Sequence, residues 1–218
     1  NDVSLDWQSP LGGMGDYLQY SDNSSFTAIG YSSGGTFLVA AKFGPEELMN
    51  FSGGTLSQIG FIPWSDSAQF TLNVWMGQNA DMLVVSQPVS GLTPLQWNDF
   101  QLDTPIPVDT TDYLWIGYEL THQPNDFPAG VDWGPATEGL GNLISVDGIT
   151  WESLTYYGLD YNWNIRGLVD QGNKSYSLSK INALPQQTFA NSGELRQSDQ
   201  PPAQFPDYGV NSLELLGY

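Results

Sequence analysis

Hydrophobic positions along this chain recur mainly with a period of two. Residues 69–76, QFTLNVWM, place Phe70, Leu72, Val74 and Met76 on one side and Thr71, Asn73 and Trp75 on the other. That alternation is the mark of a strand. Residues 113–120 alternate in the same way: Leu114, Ile116, Tyr118 and Leu120 oppose Tyr113, Trp115, Gly117 and Glu119. Large side chains on both faces suit a strand inside a two-layer sandwich. Trp97, Phe100 and Leu102 lie on a preceding strand, joined to this one by a Pro- and Asp-rich turn. Trp75, Trp97 and Trp115, all inside alternating runs, read as core.

The same pattern predicts further strands. Residues 36–43 (TFLVAAKF) are strongly apolar, 55–63 (TLSQIGFIP) alternate, and 82–87 follow a GQNAD turn. Residues 17–20 and 28–31 flank SDNSS and predict a hairpin. Residues 142–146 and 150–154 are separated by Asp147-Gly148, a strong turn signal, and 162–169 read as the closing strand. One helical turn is expected over 44–49, with Pro45 in the first turn and Glu46 and Glu47 near its N-terminus. Residues 121–136 read as a long loop. About ten short strands, almost no helix and no internal repeat predict an all-β protein. The expected architecture is an antiparallel jelly-roll-like β-sandwich over residues 17–170. A lead-in segment, 1–16, precedes it. A polar, irregular C-terminal extension, 171–218, follows as a linker or docked segment leading into a further domain.

Composition narrows the classes. The 218 residues suffice for a real core, burying about 70% of the unfolded surface. Eight Trp, eleven Tyr and ten Phe supply rigid bulk, while 24 Gly and 14 Pro suit many tight turns. With no cysteine, disulfides, thiolate metal sites and a Cys nucleophile are excluded. No run of about 18 apolar residues is present, so membrane insertion by a helix is not expected. The N-terminal residues lack a signal-peptide pattern, which leaves an intracellular protein or a processed secreted one.

The net charge of −19 argues against nucleic acid as a partner. It serves solubility or divalent-cation binding, and both favour a secreted or cell-surface setting. Residues 1–165 hold 19 acids and a single base, Lys42, whereas 166–218 are near balance. That shift marks a boundary near Asp170.

Several segments carry a family resemblance through their order and spacing. They are TFLVAAKFGPEEL, GTLSQIGF, FTLNVWMGQ, VSQPVSGLTPLQWNDFQLDTPIPVD, YLWIGYEL, FPAGVDWGP and YNWNIRG. Together they resemble a secreted β-sandwich module of Bacteroidetes-type surface proteins, similar to the cleaved adhesin domains of gingipains and haemagglutinins. The resemblance implies an accessory module of a larger secreted protein, with adhesin or carbohydrate-binding relatives and structural calcium in related jelly rolls. The terminal LLGY resembles the start of the fibronectin-type domain that often follows in that family.

Candidate chemistry is sparse. His122 is the sole histidine, and no G-x-S-x-G elbow accompanies it. Glycoside hydrolysis needs two carboxylates about 5–10 Å apart; Glu119 and Glu152 lie on strands and are the candidates. Calcium takes oxygen ligands from turns, which points to Asp16, Asp22, Asp132 and Asp160, with Asp109, Asp112, Asp126 and Asp147 as further turn residues. Each of these also suits a simple turn-forming role. Loop aromatics can stack on sugar faces: Trp133, Trp151, Tyr156, Tyr157 and Tyr161 cluster late in the domain, and Trp64 sits beside Pro63 at a turn. They equally suit caps on the core.

The expected function is a non-catalytic extracellular module for adhesion or carbohydrate binding, with a glycan or a host or cell-surface protein as partner. A structural spacer beside a secreted protease or glycanase is the alternative, and a carboxylate-based glycosidase the third reading.

Overall fold

The computed structural model describes residues 16–171. The expected lead-in before Asp16 and extension beyond Gln171 lie outside the described residues. Twelve strands form three antiparallel sheets: β1 (Asp16–Gln19), β2 (Thr27–Ile29), β3 (Gly35–Phe43), β4 (Thr55–Phe61), β5 (Gln69–Met76), β6 (Met82–Val89), β7 (Asn98–Pro107), β8 (Leu114–His122), β9 (Ala129–Val131), β10 (Leu143–Ser145), β11 (Glu152–Ser153) and β12 (Ile165–Asp170). One helical turn, α1 (Pro45–Leu48), follows β3 as the sequence predicts. The Glu47 carboxylate accepts the Gly44 N–H at its start.

The first sheet runs β1-β12-β4-β7 and the second β11-β10-β3-β8-β5-β6, while β2 pairs with β9 in a separate ribbon. The chain changes sheet between β3 and β4, β4 and β5, β6 and β7, and β7 and β8. The orders β1-β12-β4-β7 and β3-β8-β5-β6 are those of a double Greek-key jelly roll, so the protein is an all-β jelly-roll-like sandwich. β10 and β11 extend one sheet from within the long β8–β12 connection.

Alternation decides what the sandwich buries. Phe37, Val39, Ala41 and Phe43 of β3, Phe70, Leu72 and Val74 of β5, and Leu114, Ile116, Tyr118 and Leu120 of β8 share one core with Leu18, Leu56, Ile59, Phe61, Ile165 and Val169 of the facing sheet. Phe61 stands 4.5 Å from Tyr118 and 5.1 Å from Phe70, ring centre to ring centre, which ties the two layers together.

Three expectations change. The hairpin across SDNSS does not form, because β1 pairs with β12 and β2 with β9. The strands on either side of residues 108–113 are not a hairpin either: β7 and β8 lie in opposite sheets. Of the three tryptophans expected in the core, Trp97 is not fully buried, while the other two are core in a second, smaller cluster. Trp75 and Trp115 are buried, but on the outside of the six-stranded sheet, where Trp151 packs against both at 5.3 and 5.4 Å. Trp97 is half-buried over Arg166 of the other sheet, which also lies on Tyr17.

Candidate functional site: an aromatic platform at the loop end

Four connections meet at one end of the sandwich: residues 20–34, 62–68, 90–97 and the first part of 123–164. Backbone bonds knit them together. Trp64 N–H donates to Pro128 O (2.8 Å), Leu95 N–H to Pro63 O (2.8 Å) and Phe26 N–H to Val131 O (3.0 Å). The hydroxyls of Ser65 and Ser67 both donate to the Asp126 carboxylate.

At the centre lies Asp132, only 1% exposed. Its Oδ1 accepts the N–H groups of Gly134 (2.9 Å) and Asn162 (2.8 Å), and its Oδ2 accepts the Asn162 side-chain amide (3.0 Å) and the Asp22 N–H (3.3 Å). Four N–H donors from three separate stretches of chain replace the water that burial removes from the carboxylate. The next residue is Trp133. Its N–H donates to Ser24 Oγ (3.1 Å), and the Ser24 hydroxyl in turn donates to Asp22. Asp22 also takes the Ser24 N–H at 2.8 Å, closing an Asx turn. On the other side, Asp160 accepts the Ala136 N–H at 2.8 Å. Gly134 has φ +71°, and a Cβ there would stand 2.0 Å from Asp160 O. Only glycine fits both demands.

The result is a tryptophan whose backbone is fixed and whose side chain stays largely exposed, with its ring resting on a single neighbour. Trp133 is 62% exposed. Its ring lies on Phe26 at 3.8 Å and 33°, and Phe26 leans on Tyr161 at 5.5 Å. The exposed carboxylates of Asp22 and Asp160 flank the segment. The described residues hold two lysine or arginine side chains, and neither serves this end. Arg166 is paired with Asp99 across a gap that Gly60 leaves open, since a Cβ at Gly60 would meet Asp99 Oδ1 at 2.1 Å. Lys42 rests over Tyr113 (4.5 Å) and Trp115 (4.8 Å), and burial pulls its pKa below the usual lysine value.

Of the residues singled out from the sequence, Trp133, Tyr161, Asp22, Asp132 and Asp160 come together here. Trp64, 38% exposed, is on the neighbouring β4–β5 connection. Trp151 belongs to the outer-face cluster with Trp75 and Trp115. Tyr156 and Tyr157 form an exposed perpendicular pair, ring centres 5.2 Å apart, in the 3-10 turn after β11. The Tyr157 hydroxyl donates to Glu152, which pushes its pKa up to about 12. Asp16 starts β1, and its carboxylate takes the Gln171 amide. Among the described residues, no three His, Cys, Asp or Glu side chains are grouped to hold a metal ion.

His122 is buried. Its Nε2 accepts the Tyr31 N–H and its Nδ1–H donates to Gln123 O, so both ring nitrogens are engaged. Phe26, Ser24 and Asn162 were missed from the sequence. The SDNSSF segment carries a turn signal, but nothing local to it points to residue 133.

No family model matches the chain, and no curated protein matches it. Among solved structures, it is similar to that of infectious bursal disease virus, Gt strain. That match has 13% identity over 80% of this chain and 37% of that one, with a TM-score of 0.31. A second is the VP2 subviral particle of the same virus, at 17% identity over 79% and 38% of the two chains, TM-score 0.31. This chain thus spans less than two-fifths of those proteins.

Proposed function

We propose that this protein is a non-catalytic, secreted or cell-surface module that binds glycans through the Trp133 platform. The observation that carries the reading is Trp133 itself: a large apolar ring held open to solvent by a buried hydrogen-bond network. Exposing an indole forgoes hydrophobic stabilisation, and fixing its backbone removes the freedom to fold it away. A rigid scaffold with a pre-ordered aromatic loop residue lowers the ordering cost of binding, as an anchor for the apolar face of a pyranose requires. Phe26 backs the ring, with Tyr161 against Phe26, and the same loops carry the exposed carboxylates of Asp22 and Asp160. The resemblance to adhesin-type surface modules supports the same reading.

The test is a glycan panel read by tryptophan fluorescence and titration calorimetry on wild type and Trp133→Ala. The variant should bind about thirty-fold more weakly, near 2 kcal/mol, while staying folded, with a thermal midpoint lowered only by the lost contact with Phe26. If wild type binds no glycan, or Trp133→Ala binds as well as wild type, the proposal fails.

A further inference from the structure

We infer that the Trp133 platform sorts its ligands by charge and takes amine-bearing or uncharged sugars while rejecting acidic ones; the inference rests on the glycan reading above. The loop that carries Trp133 is tied to two exposed aspartates, Asp22 through Ser24 and Asp160 through Ala136. Asp22 is fixed by its Asx turn with Ser24, whose hydroxyl also holds the Trp133 N–H. Asp160 is fixed by the Ala136 N–H on the far side of Gly134. Each uses one oxygen, Oδ1, in these bonds. The second oxygen of each can accept from a sugar hydroxyl or ammonium. A uronate, sialyl or sulfate group would bring an anion against these carboxylates.

Among the described residues, no cation nearby offsets that repulsion. Asp66 and Asp126 lie on the adjoining connections, and Asp126 is already the acceptor for two serines. The cations of the described residues are engaged elsewhere: Arg166 with Asp99, Tyr17 and Trp97 on an outer sheet face, and Lys42 with Tyr113 and Trp115. A net charge of −19 adds a long-range field of the same sign. The stacking surface is indifferent to charge, since a pyranose presents the same C–H face whether its substituent is hydroxymethyl, amino or carboxylate. Selectivity therefore falls to the rim.

The experiment uses oligosaccharides of a neutral hexose, its 2-amino form and its uronate, matched in linkage and length, in the gluco, galacto and manno series. Affinities are measured at low and high sodium chloride. In the series that binds best, the expected order is amino sugar, then neutral sugar, then uronate, each step about five-fold at low salt and shrinking as salt rises. The double variant Asp22→Asn/Asp160→Asn keeps the turn acceptors, removes both charges and should bring the three ligands to within about two-fold. Equal or tighter binding of the uronate, or an order that survives in the double variant, overturns the inference. If all three bind equally and Trp133→Ala abolishes binding, charge selection falls while the glycan reading stands. If no member of any series binds, both fall.

Discussion

At the scale of single residues, three buried side-chain polar atoms among the described residues lack a hydrogen-bond partner, Asn73 Oδ1, Asn164 Nδ2 and the Tyr118 hydroxyl, and the last gives a direct test of the packing. Tyr118 is wholly buried between Phe61 and Phe70, and its hydroxyl has no hydrogen-bond partner among the described residues. Burial pushes its pKa well above the ordinary tyrosine value. A buried hydroxyl without a partner loses its hydration for nothing. Tyr118→Phe keeps the ring contacts and removes that loss, so it should raise stability by about 1 kcal/mol in a denaturant titration. A drop in stability instead would mean the hydroxyl makes a useful bond. Asp132 is the opposite case: a buried carboxylate whose two oxygens are met by four N–H donors.

At the scale of elements, the β10–β11 turn is held by one exposed carboxylate. Asp147 accepts N–H bonds from Thr150 (2.7 Å) and Ile149 (2.8 Å), which lower its pKa from 3.8 to about 2. The folded state therefore binds this proton less readily than the unfolded chain. Its stabilising contribution is complete above the unfolded pKa, near pH 4, and is lost as pH falls towards 2. Asp147→Asn should be less stable than wild type at neutral pH, and the two denaturation midpoints should converge through that window. A gap that stays constant from neutral pH down to about pH 2 would reject this account.

The open side between β6 and β7 is closed by a different device. Gln87 donates to Gln101 O (2.9 Å) and accepts from Asp103 N (2.9 Å), as a neighbouring strand would. It bridges the edges of the two sheets and covers backbone groups that would otherwise be free to pair with another chain.

At the scale of the whole molecule, charge opposes folding. Among the described residues one ion pair, Arg166–Asp99, stands against a large excess of acids. Raising sodium chloride from about 0.01 M to about 1 M shortens the screening length from about 30 Å to about 3 Å. The thermal midpoint should therefore rise, by about 2–4 °C for each kcal/mol of repulsion relieved. A midpoint that falls with salt would show that the single ion pair outweighs the general repulsion.

Period-two alternation alone determined the class of fold and most inward-facing positions: Phe70, Leu72 and Val74 of β5, and Leu114, Ile116, Tyr118 and Leu120 of β8, are core as the pattern requires. The turn at Asp147-Gly148 and the helical turn at Pro45 were equally legible, because glycine, proline and capping acids act within a few residues. Alternation says which way a side chain points, not which strand lies beside it, since backbone hydrogen bonds are the same for every residue. Only the tertiary structure could pair β1 with β12, separate β7 from β8 and put Trp75 and Trp115 on an outer face beneath Trp151. The candidate site shows the same division. Trp133 and the aspartates around it stood out from the sequence as loop residues. That Phe26 would lie beneath Trp133, with Tyr161 behind it, followed only from the jelly-roll connections that bring residues 26, 133 and 161 to one end.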